Sequence, residues 1–171
     1  MSDITAIILT KNEEVNIKRC IESITGLANR IVVVDSGSTD KTIEIAEKMG
    51  AEIYRHEPFE HYAKQFNWAL DNVNIKTKWV YRIDADEVVT PELKKEIIEA
   101  CKEHSNDDVN GLVMKFKIFF MGRFLKHGGI YPFYNLTIFK YGLGRYEDRA
   151  MGEHIVLSEV KKISGFGSNR R

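Results

Sequence analysis

The feature that most constrains this chain is a fourfold alternation of short strand-like runs with segments of helical spacing in residues 1–108. The runs are rich in β-branched and aromatic residues, as buried strands are. They cover residues 4–10, 31–34, 51–55 and 79–83. A right-handed crossover through each helix makes successive strands of one sheet parallel. The alternation therefore predicts an α/β fold with a mainly parallel central sheet flanked by helices.

Capping residues and glycines predict the helix boundaries. Asn12 is expected to cap the first helix, and glycines are expected to end the first and second helices. Tyr62 begins a stripe of apolar residues at helical spacing, which predicts that it belongs to the core side of the third helix. Pro91 is expected in the first turn of the fourth helix, where its missing N–H is tolerated.

The second part of the chain has a different character. Residues 112–120 and 133–141 are strand-like and are separated by a loop that contains glycines. Residues 1–108 carry 14 Lys and Arg against 21 Asp and Glu, whereas residues 109–171 carry 11 against 4. An acidic part suited to a metal ion is thus followed by a basic part suited to anions. The alternative is that the uneven charge only reflects helices that happen to lie in one part of the chain. With 171 residues, one domain is predicted.

Several classes of protein are excluded. Cys20 and Cys101 have no metal-type or redox-type spacing, which indicates buried thiols in a reduced compartment. No signal peptide or transmembrane segment is recognised, so a cytoplasmic location is expected. The chain contains neither a Gly-x-Gly-x-x-Gly fingerprint after the first strand nor a P-loop. A bound diphosphate would therefore have to be held by a metal ion.

The fourth run ends in three carboxylates, Asp84, Asp86 and Glu87. On extended backbone Asp84 and Asp86 point to the same side, and their mutual repulsion favours a cation between them. An EF-hand is excluded, because Val89 and Lys95 occupy the positions of its glycine and its last glutamate. The pattern leaves two interpretations open, a divalent-cation site and a solvated turn.

Polar residues also follow the first two strands, at residues 10–13 and 35–40. In open α/β sheets, ligands bind beyond the carboxyl ends of the strands. Asp35 has two interpretations here. Its carboxylate can accept hydrogen bonds from a base or a ribose, or it can serve as a turn or capping acid.

Three motifs stand out by their order and spacing. They are Ile-Leu-Thr-Lys-Asn-Glu-Glu at 8–14, Val-Val-Val-Asp-Ser-Gly-Ser-Thr-Asp-Lys-Thr at 32–42, and Arg-Ile-Asp-Ala-Asp-Glu at 82–87. Together they resemble the family 2 glycosyltransferases of GT-A fold, in particular bacterial members of the β-glucosyltransferase type that build lipopolysaccharide core or capsular polysaccharide. The resemblance covers residues 4 to about 160. It implies one GT-A domain over 1–171, with a nucleotide-sugar half at 1–108 and an acceptor-side half at 109–171. Because such proteins usually continue further, the chain is expected to be truncated at its C-terminus.

The resemblance implies a role for each matching residue on the donor side. The residues expected around the nucleotide are Thr10, Asn12, Glu13, Asp35, Ser36 and Ser38. Asp84 would contact the ribose or hold the metal through water, and Asp86 would ligate the Mg²⁺ or Mn²⁺ that bridges the phosphates. Relatives often have an Arg where this chain has Phe66, which puts one nucleotide contact in doubt.

An inverting transfer also needs a base near the acceptor hydroxyl, and a carboxylate is the usual choice. The resemblance points to residues 146–154, where the Met-Gly-Glu-His sequence favours Glu153 and Asp148 is the second candidate. The alternative for Glu153 is a structural ion pair with Arg149.

The resemblance implies an inverting, metal-dependent transfer of a hexose from a nucleotide-diphosphate sugar, expected to be a UDP-sugar. The acceptor would be a glycan or a lipid-linked acceptor in cell-surface polysaccharide synthesis, and the basic part would suit contact with an anionic membrane at its inner face. No nucleic-acid partner is expected. Two alternatives stay open: a sugar-phosphate nucleotidyltransferase, although its basic Gly-rich loop is missing after the first strand, and a catalytically silent nucleotide-binding module.

Overall fold

The computed structural model describes residues 3–120, 123–124, 131, 133–147, 154–158 and 162–166. Its helices are α1 (Ile17–Ile24), α2 (Thr42–Lys48), α3 (Tyr62–Asn72) and α4 (Pro91–Glu103), with a 3₁₀ turn at His104–Asn106. Its strands in residues 4–84 are β1 (Ile4–Thr10), β2 (Arg30–Asp35), β3 (Glu52–Arg55) and β4 (Trp79–Asp84). The later strands are β5 (Val109–Phe116), β6 (Phe119–Phe120), β7 (Arg123–Phe124), β8 (Phe133–Lys140), β9 (Gly144–Tyr146), β10 (Ile155–Leu157) and β11 (Lys162–Phe166).

Seven of the described strands form one sheet in the order β11-β5-β8-β4-β1-β2-β3. The strands β3, β2, β1 and β4 are parallel neighbours, and β11 is parallel to β5. The strand β8 runs antiparallel to both β4 and β5. Two short antiparallel pairs, β6–β7 and β9–β10, lie outside this sheet. The predicted α/β class is confirmed, with its mainly parallel sheet, its flanking helices and its mixed strands in the second part.

Apolar side chains cover both faces of the central strands. Every residue of β1 is buried. Ile4 and Ile8 pack in the core beneath α1 and α4, while Ile7 and Leu9 pack in the core beneath α3. Burial on both faces explains why β1 is a continuous apolar run rather than an alternating one.

The register brings three strand ends to one edge of the sheet. Thr10, the last residue of β1, lies opposite Asp35, the last residue of β2. Leu9 lies opposite Asp84, the last residue of β4. Because the three strands are parallel, the loops that follow them gather at the same carboxyl edge, as predicted.

The predicted helix start at Asn12 is wrong. The helix α1 begins at Ile17, its N-cap is Asn16, and its first turn contains no acidic residue. Asn12 instead adopts a positive φ of 55°, in the left-handed region that Asn tolerates better than most residues. Its side chain bonds to a distant loop, which local sequence patterns do not reveal.

The extended presentation of Asp84 and Asp86 is also wrong. The strand β4 ends at Asp84, and residues 85 and 86 form a turn in which Glu87 N donates to Asp84 O at 3.0 Å. The strand predicted at 112–120 is likewise interrupted, since β5 ends at Phe116 and β6 begins at Phe119. Among the described residues, no helix is both long and apolar enough to cross a membrane.

Candidate active site at the carboxyl edge of the sheet

A cleft of about 270 Å³ opens at this edge. The loops after β1, β2 and β4, together with the start of α3, form its walls. Among the residues predicted for the site, those that line the cleft are Thr10, Glu13, Ser36, Asp84 and Asp86. The structure thus brings together residues that are separated by more than seventy positions in the sequence.

The loop after β1 is tied to the loop after β2 by three consecutive backbone N–H groups. Each donates to a side chain of the second loop or of Thr42, the first residue of α2. The pairs are Asn12 N to Ser38 Oγ at 2.8 Å, Glu13 N to Thr42 Oγ1 at 2.7 Å, and Glu14 N to Asp40 Oδ2 at 3.1 Å. In return, Asn12 Oδ1 accepts a hydrogen bond from Thr39 N at 2.8 Å. The two loops therefore form one cross-linked rim, and Asn12 and Ser38 serve to join them.

Asp35 shapes the second loop. Its carboxylate accepts hydrogen bonds from Gly37 N at 3.0 Å and from Ser38 N at 2.9 Å, and the Ser38 hydroxyl also donates to it. Only 2% of Asp35 is exposed. Gly37 has a positive φ of 85°, which glycine adopts without a steric cost. These contacts fit the interpretation of Asp35 as a turn acid, and its contact with a base remains a prediction.

The acidic end of β4 contains an arginine that the sequence analysis did not single out. Arg82 is 8% exposed, and its Nη2 lies 2.6 Å from each oxygen of the Asp84 carboxylate. The pKa of Asp84 is raised overall, chiefly by burial. The Arg82 charge opposes this rise, and the Asp86 charge adds to it. Burial, with the Asp84 charge next in size, raises the pKa of Glu87 to about 7. Without Arg82, this cluster would be strongly anionic.

Three buried polar atoms without a hydrogen-bond partner in the described part of the chain belong to residues that line the cleft. They are Thr10 Oγ1, Ser36 Oγ and Arg82 Nε. Buried polar groups are nearly always paired, by protein or by an ordered ligand or water. Their concentration around one cleft therefore points to a polar ligand.

The carboxylates present fit a metal ion only if the ligand completes its coordination. Within residues 3–120 and the other described ranges, no group of three or more His, Cys, Asp or Glu side chains is placed to hold a metal. Asp84 is bound to Arg82, whereas Asp86 is exposed in the cleft. Mg²⁺ commonly binds through one or two carboxylates plus substrate phosphates. The donor set therefore suits a metal–diphosphate complex.

Aromatic residues form the outer wall of the cleft. Tyr62 was predicted as a core residue, but it is 54% exposed and lines the cleft, because it is the first residue of α3 and precedes the buried face of that helix. The Phe59 ring lies 5.2 Å from the Tyr62 ring, and Lys11 Nζ lies 5.8 Å from the Phe59 ring. An exposed ring beside a polar cleft provides a surface on which a planar group can stack.

Phe66 does not line this cleft. It is fully buried and packs edge-on against Phe139 and Tyr146, at 6.2 Å and 5.4 Å between ring centroids. Gln65 lines the cleft instead, and its Nε2 donates to Val34 O at 3.0 Å. Phe66 thus offers no polar group to the cleft, and the loss of a nucleotide contact at this position stays a prediction.

The two base candidates, Glu153 and Asp148, lie outside the described residues, as do Arg149 and residues 125–130 of the basic loop. Their flanks are described. Tyr146 pairs with Ile155 in the β9–β10 ladder, and Glu147 N donates to His154 O at 3.2 Å. The Tyr146 ring lies 5.9 Å from Arg82 Cζ. The described residues on either side of 148–153 are thus paired with each other, and one of them, Tyr146, lies beside Arg82.

Polar side chains join β9 to α3. Arg145 Nη1 and Nη2 donate to the Asp71 carboxylate at 2.8 Å each. Asn67 Nδ2 donates to Tyr146 O at 3.0 Å, and Tyr146 N donates to Asn67 Oδ1 at 3.0 Å. Asn67 thus satisfies both backbone groups of one residue. Sequence analysis had no signal for this contact, because it joins positions 79 residues apart.

Comparison with known proteins gives consistent results. The family model described as Glycosyl transferase family 2 matches residues 5–154. An uncharacterized glycosyltransferase of Rickettsia bellii is 44% identical over 94 residues, which are 55% of this chain and 31% of that protein. The lipopolysaccharide core biosynthesis glycosyltransferase LpsC of Rhizobium meliloti is 31% identical over 148 residues, 84% of this chain and 53% of that protein. The chain therefore spans only a third to a half of the length of these relatives.

Two solved structures share the arrangement of helices and strands. A mannosyltransferase from Pyrobaculum calidifontis in complex with GDP-Man and Mn²⁺ has a TM-score of 0.56 at 22% identity, over 68% of this chain and 36% of that chain. A glucosyl-3-phosphoglycerate synthase from Mycobacterium tuberculosis in complex with Mn²⁺, UDP and glucosyl-3-phosphoglycerate has a TM-score of 0.52 at 19% identity, over 66% and 43%. At these identities the likeness concerns the fold.

Proposed function

The chain belongs to glycosyltransferase family 2 and has the GT-A fold, and we propose that it binds a nucleotide-diphosphate sugar and transfers the sugar, with inversion, to an acceptor hydroxyl. The observation that carries this proposal is the cleft at the carboxyl edge. It combines an exposed carboxylate, Asp86, with the buried hydroxyls of Thr10 and Ser36, which have no partner among the described residues. This is a combination that a metal-bound diphosphate and a nucleoside would satisfy together.

In the proposed complex, the residues that line the cleft beside the rim contact the nucleoside. Thr10 and Ser36 would donate or accept hydrogen bonds at the nucleoside, within the rim that Asn12, Asp35 and Ser38 hold in shape. Glu13 lines the same wall. The exposed ring of Tyr62 offers a stacking surface.

Asp86 would hold a Mg²⁺ or Mn²⁺ ion, with Asp84 beside it. Such an ion would neutralise charge on the departing diphosphate. The sugar would lose its bond to the diphosphate oxygen and form a bond to the acceptor oxygen on the opposite face. The acceptor proton would pass to a carboxylate, for which Glu153 is proposed first and Asp148 second.

The substrates are proposed by analogy. UDP is present in one of the similar structures and GDP-Man in the other, both with Mn²⁺, and we propose a UDP-sugar. The relative LpsC is named for lipopolysaccharide core biosynthesis, which supports a glycan or lipid-linked acceptor of cell-surface polysaccharide. The surplus of seven positive charges in residues 109–171 supports contact with an anionic membrane at its cytoplasmic face.

Calorimetry with UDP tests the donor site. Because Asp86 is the exposed carboxylate and the metal needs phosphate oxygens, UDP and Mn²⁺ should each bind weakly alone and at least about tenfold more tightly together. Asp86→Ala should abolish this mutual enhancement. Glu99→Ala, which removes an exposed carboxylate of α4, is the matched control and should bind as the wild type does. Mutual enhancement that survives in Asp86→Ala would refute the metal assignment.

The length of the chain favours one second candidate. Because the matched residues cover only 31% and 53% of two relatives, the alternative is that residues 1–171 form a nucleotide-binding module and that transfer needs further residues. Release of UDP from a UDP-sugar, slow hydrolysis included, supports the transferase. Metal-dependent UDP binding without any turnover supports the module.

A further inference from the structure

Arg82 is an unusual residue for the interior of a parallel sheet. It lies on β4 between the fully buried Ile83 and the nearly buried Tyr81, and only 8% of it is exposed. Its side chain shares a face of the strand with Asp84, since residues two apart on a strand point the same way. One nitrogen, Nη2, makes both contacts to the Asp84 carboxylate, at 2.6 Å each.

Stability alone does not account for this arrangement. The Nε–H of Arg82 is buried without a partner in the described part of the chain, and such a group typically costs about 1–3 kcal/mol. A buried ion pair is often no more stabilising than apolar residues of similar volume. An aliphatic side chain facing the apolar core beneath α3 would therefore serve folding equally well.

Arg82 also contacts an aromatic ring, Tyr146. Its guanidinium carbon lies 5.9 Å from the centre of the Tyr146 ring, within the range of a cation–π contact. Tyr146 is itself held by the two hydrogen bonds from Asn67. The charge is thus presented to Asp84 by a braced side chain.

The electrostatic consequence concerns the diphosphate. Asp84, Asp86 and Glu87 lie within four residues, and a diphosphate brings further negative charge to the same cleft. A metal ion on Asp86 offsets only part of this. A fixed cation on Asp84 removes one full carboxylate charge from the balance before the ligand arrives.

We propose that Arg82 is a positioning residue of the donor site, which holds the Asp84 carboxylate in one orientation and cancels its charge, so that Asp86 is the carboxylate that receives the metal–diphosphate complex. This inference rests on the proposed function. It assigns to Arg82 an action through Asp84 rather than a contact with the donor.

A double-mutant cycle tests it, with the affinity for UDP measured by calorimetry at saturating Mn²⁺. Arg82→Met and Asp84→Asn should each weaken UDP binding by about tenfold, since each breaks a half-buried charge pair. The double variant Arg82→Met/Asp84→Asn should bind no more weakly than either single variant, because residues that act as one unit are not additive. Arg82→Lys, which keeps the charge, should recover most of the affinity.

Thermal unfolding of the same variants separates positioning from a structural role. The double variant should unfold within a few degrees of the wild type, since it buries no unpaired charge. A loss of affinity that follows a large loss of thermal stability in both the single and the double variant would overturn the proposal. Additive losses in the cycle would overturn it too, because they would mean that Arg82 contacts the donor directly. Wild-type affinity in Arg82→Met would have the same consequence.

The failure of the proposed function gives a different result. In that case the wild-type chain itself would show no Mn²⁺-dependent binding of UDP, and the inference on Arg82 would fall with it. The inference alone is refuted if the wild type shows metal-dependent UDP binding and Arg82→Met either binds UDP as tightly as the wild type or loses an affinity that adds to the loss in Asp84→Asn.

Discussion

The contact between Asn67 and Tyr146 gives a prediction whose size follows from the structure. Replacing Asn67 by Ala removes two hydrogen bonds of 3.0 Å each, one donated to Tyr146 O and one accepted from Tyr146 N. A hydrogen bond contributes about 0.5–1.5 kcal/mol net. The pair should therefore contribute about 1–3 kcal/mol, and about 2 kcal/mol lowers the Tm of a chain of this size by roughly 4–8 °C.

The same variant should impair transfer more than donor binding. Tyr146 pairs with Ile155, and both proposed base candidates lie between these two residues in the sequence, whereas Asn67 does not line the donor cleft. If the proposed function is correct, the kcat of Asn67→Ala should fall several-fold more than its affinity for UDP and Mn²⁺. Steady-state rates and calorimetry on the same preparation measure the two effects.

Asn72→Ala is the matched control. Asn72 is on the same helix, is exposed, and donates to Trp68 O within that helix at 2.8 Å. Its loss should change stability by no more than about 0.5 kcal/mol. Asn67→Asp keeps an acceptor for Tyr146 N but sets a carboxylate oxygen against Tyr146 O, so it should be at least as unstable as Asn67→Ala. Equal melting temperatures for the Asn67→Ala and Asn72→Ala variants would refute the role given to this contact.

Three further predictions follow from individual side chains. Burial, and then the Asp84 charge, raises the pKa of Glu87 from 4.5 to about 7, so folding disfavours its ionised form and the protein loses stability as the pH rises through this interval. The Tm of Glu87→Gln should therefore rise relative to that of the wild type between pH 5 and pH 8. A Tm difference between the two proteins that stays the same over this range would contradict the shift. Gly144→Ala should cost about 1–3 kcal/mol in urea unfolding, because its Cβ would lie 2.5 Å from the buried Phe139 ring; a neutral result would mean that the ring moves freely. Phe66→Arg should lose about 3 kcal/mol or more, because it buries an unpaired charge, and a stable variant with tighter UDP binding would show that position 66 reaches the nucleotide.

The gathering of the strand ends was predictable from the sequence because it follows from a simple rule. Parallel strands joined by crossovers must end at one edge, so the polar residues after β1, β2 and β4 had to meet there. The register of Thr10 with Asp35 and of Leu9 with Asp84 confirms it. The four strands and four helices of residues 4–103 were predicted from local spacing, because burial on one or both faces produces a pattern of apolar residues. The short strands β7, β9, β10 and β11 were not predicted.

The contacts made within that edge were not predictable, because they join distant positions. The backbone at Asn12 is set by Ser38 and Thr39, and this overrides its local preference for a helix cap. Arg82 did leave a signal that was missed: a charged residue in an otherwise apolar strand, two positions before an aspartate, shares its face and can pair with it. Tyr62 was misplaced because a helical stripe does not show where the core beneath the helix begins.

The cross-linked rim supports the proposal that a cation helps to hold the diphosphate. In a P-loop, free backbone N–H groups hold the phosphates. Here the N–H groups of residues 12–14 donate to side chains of the second loop, and those of Gly37, Ser38 and Thr39 donate to Asp35 and Asn12. These N–H groups already donate to side chains that shape the rim, so they do not donate to a bound anion. The charge of a diphosphate would then have to be met by side chains and by a metal ion, which is the setting in which Asp86 and a braced Arg82 are both required.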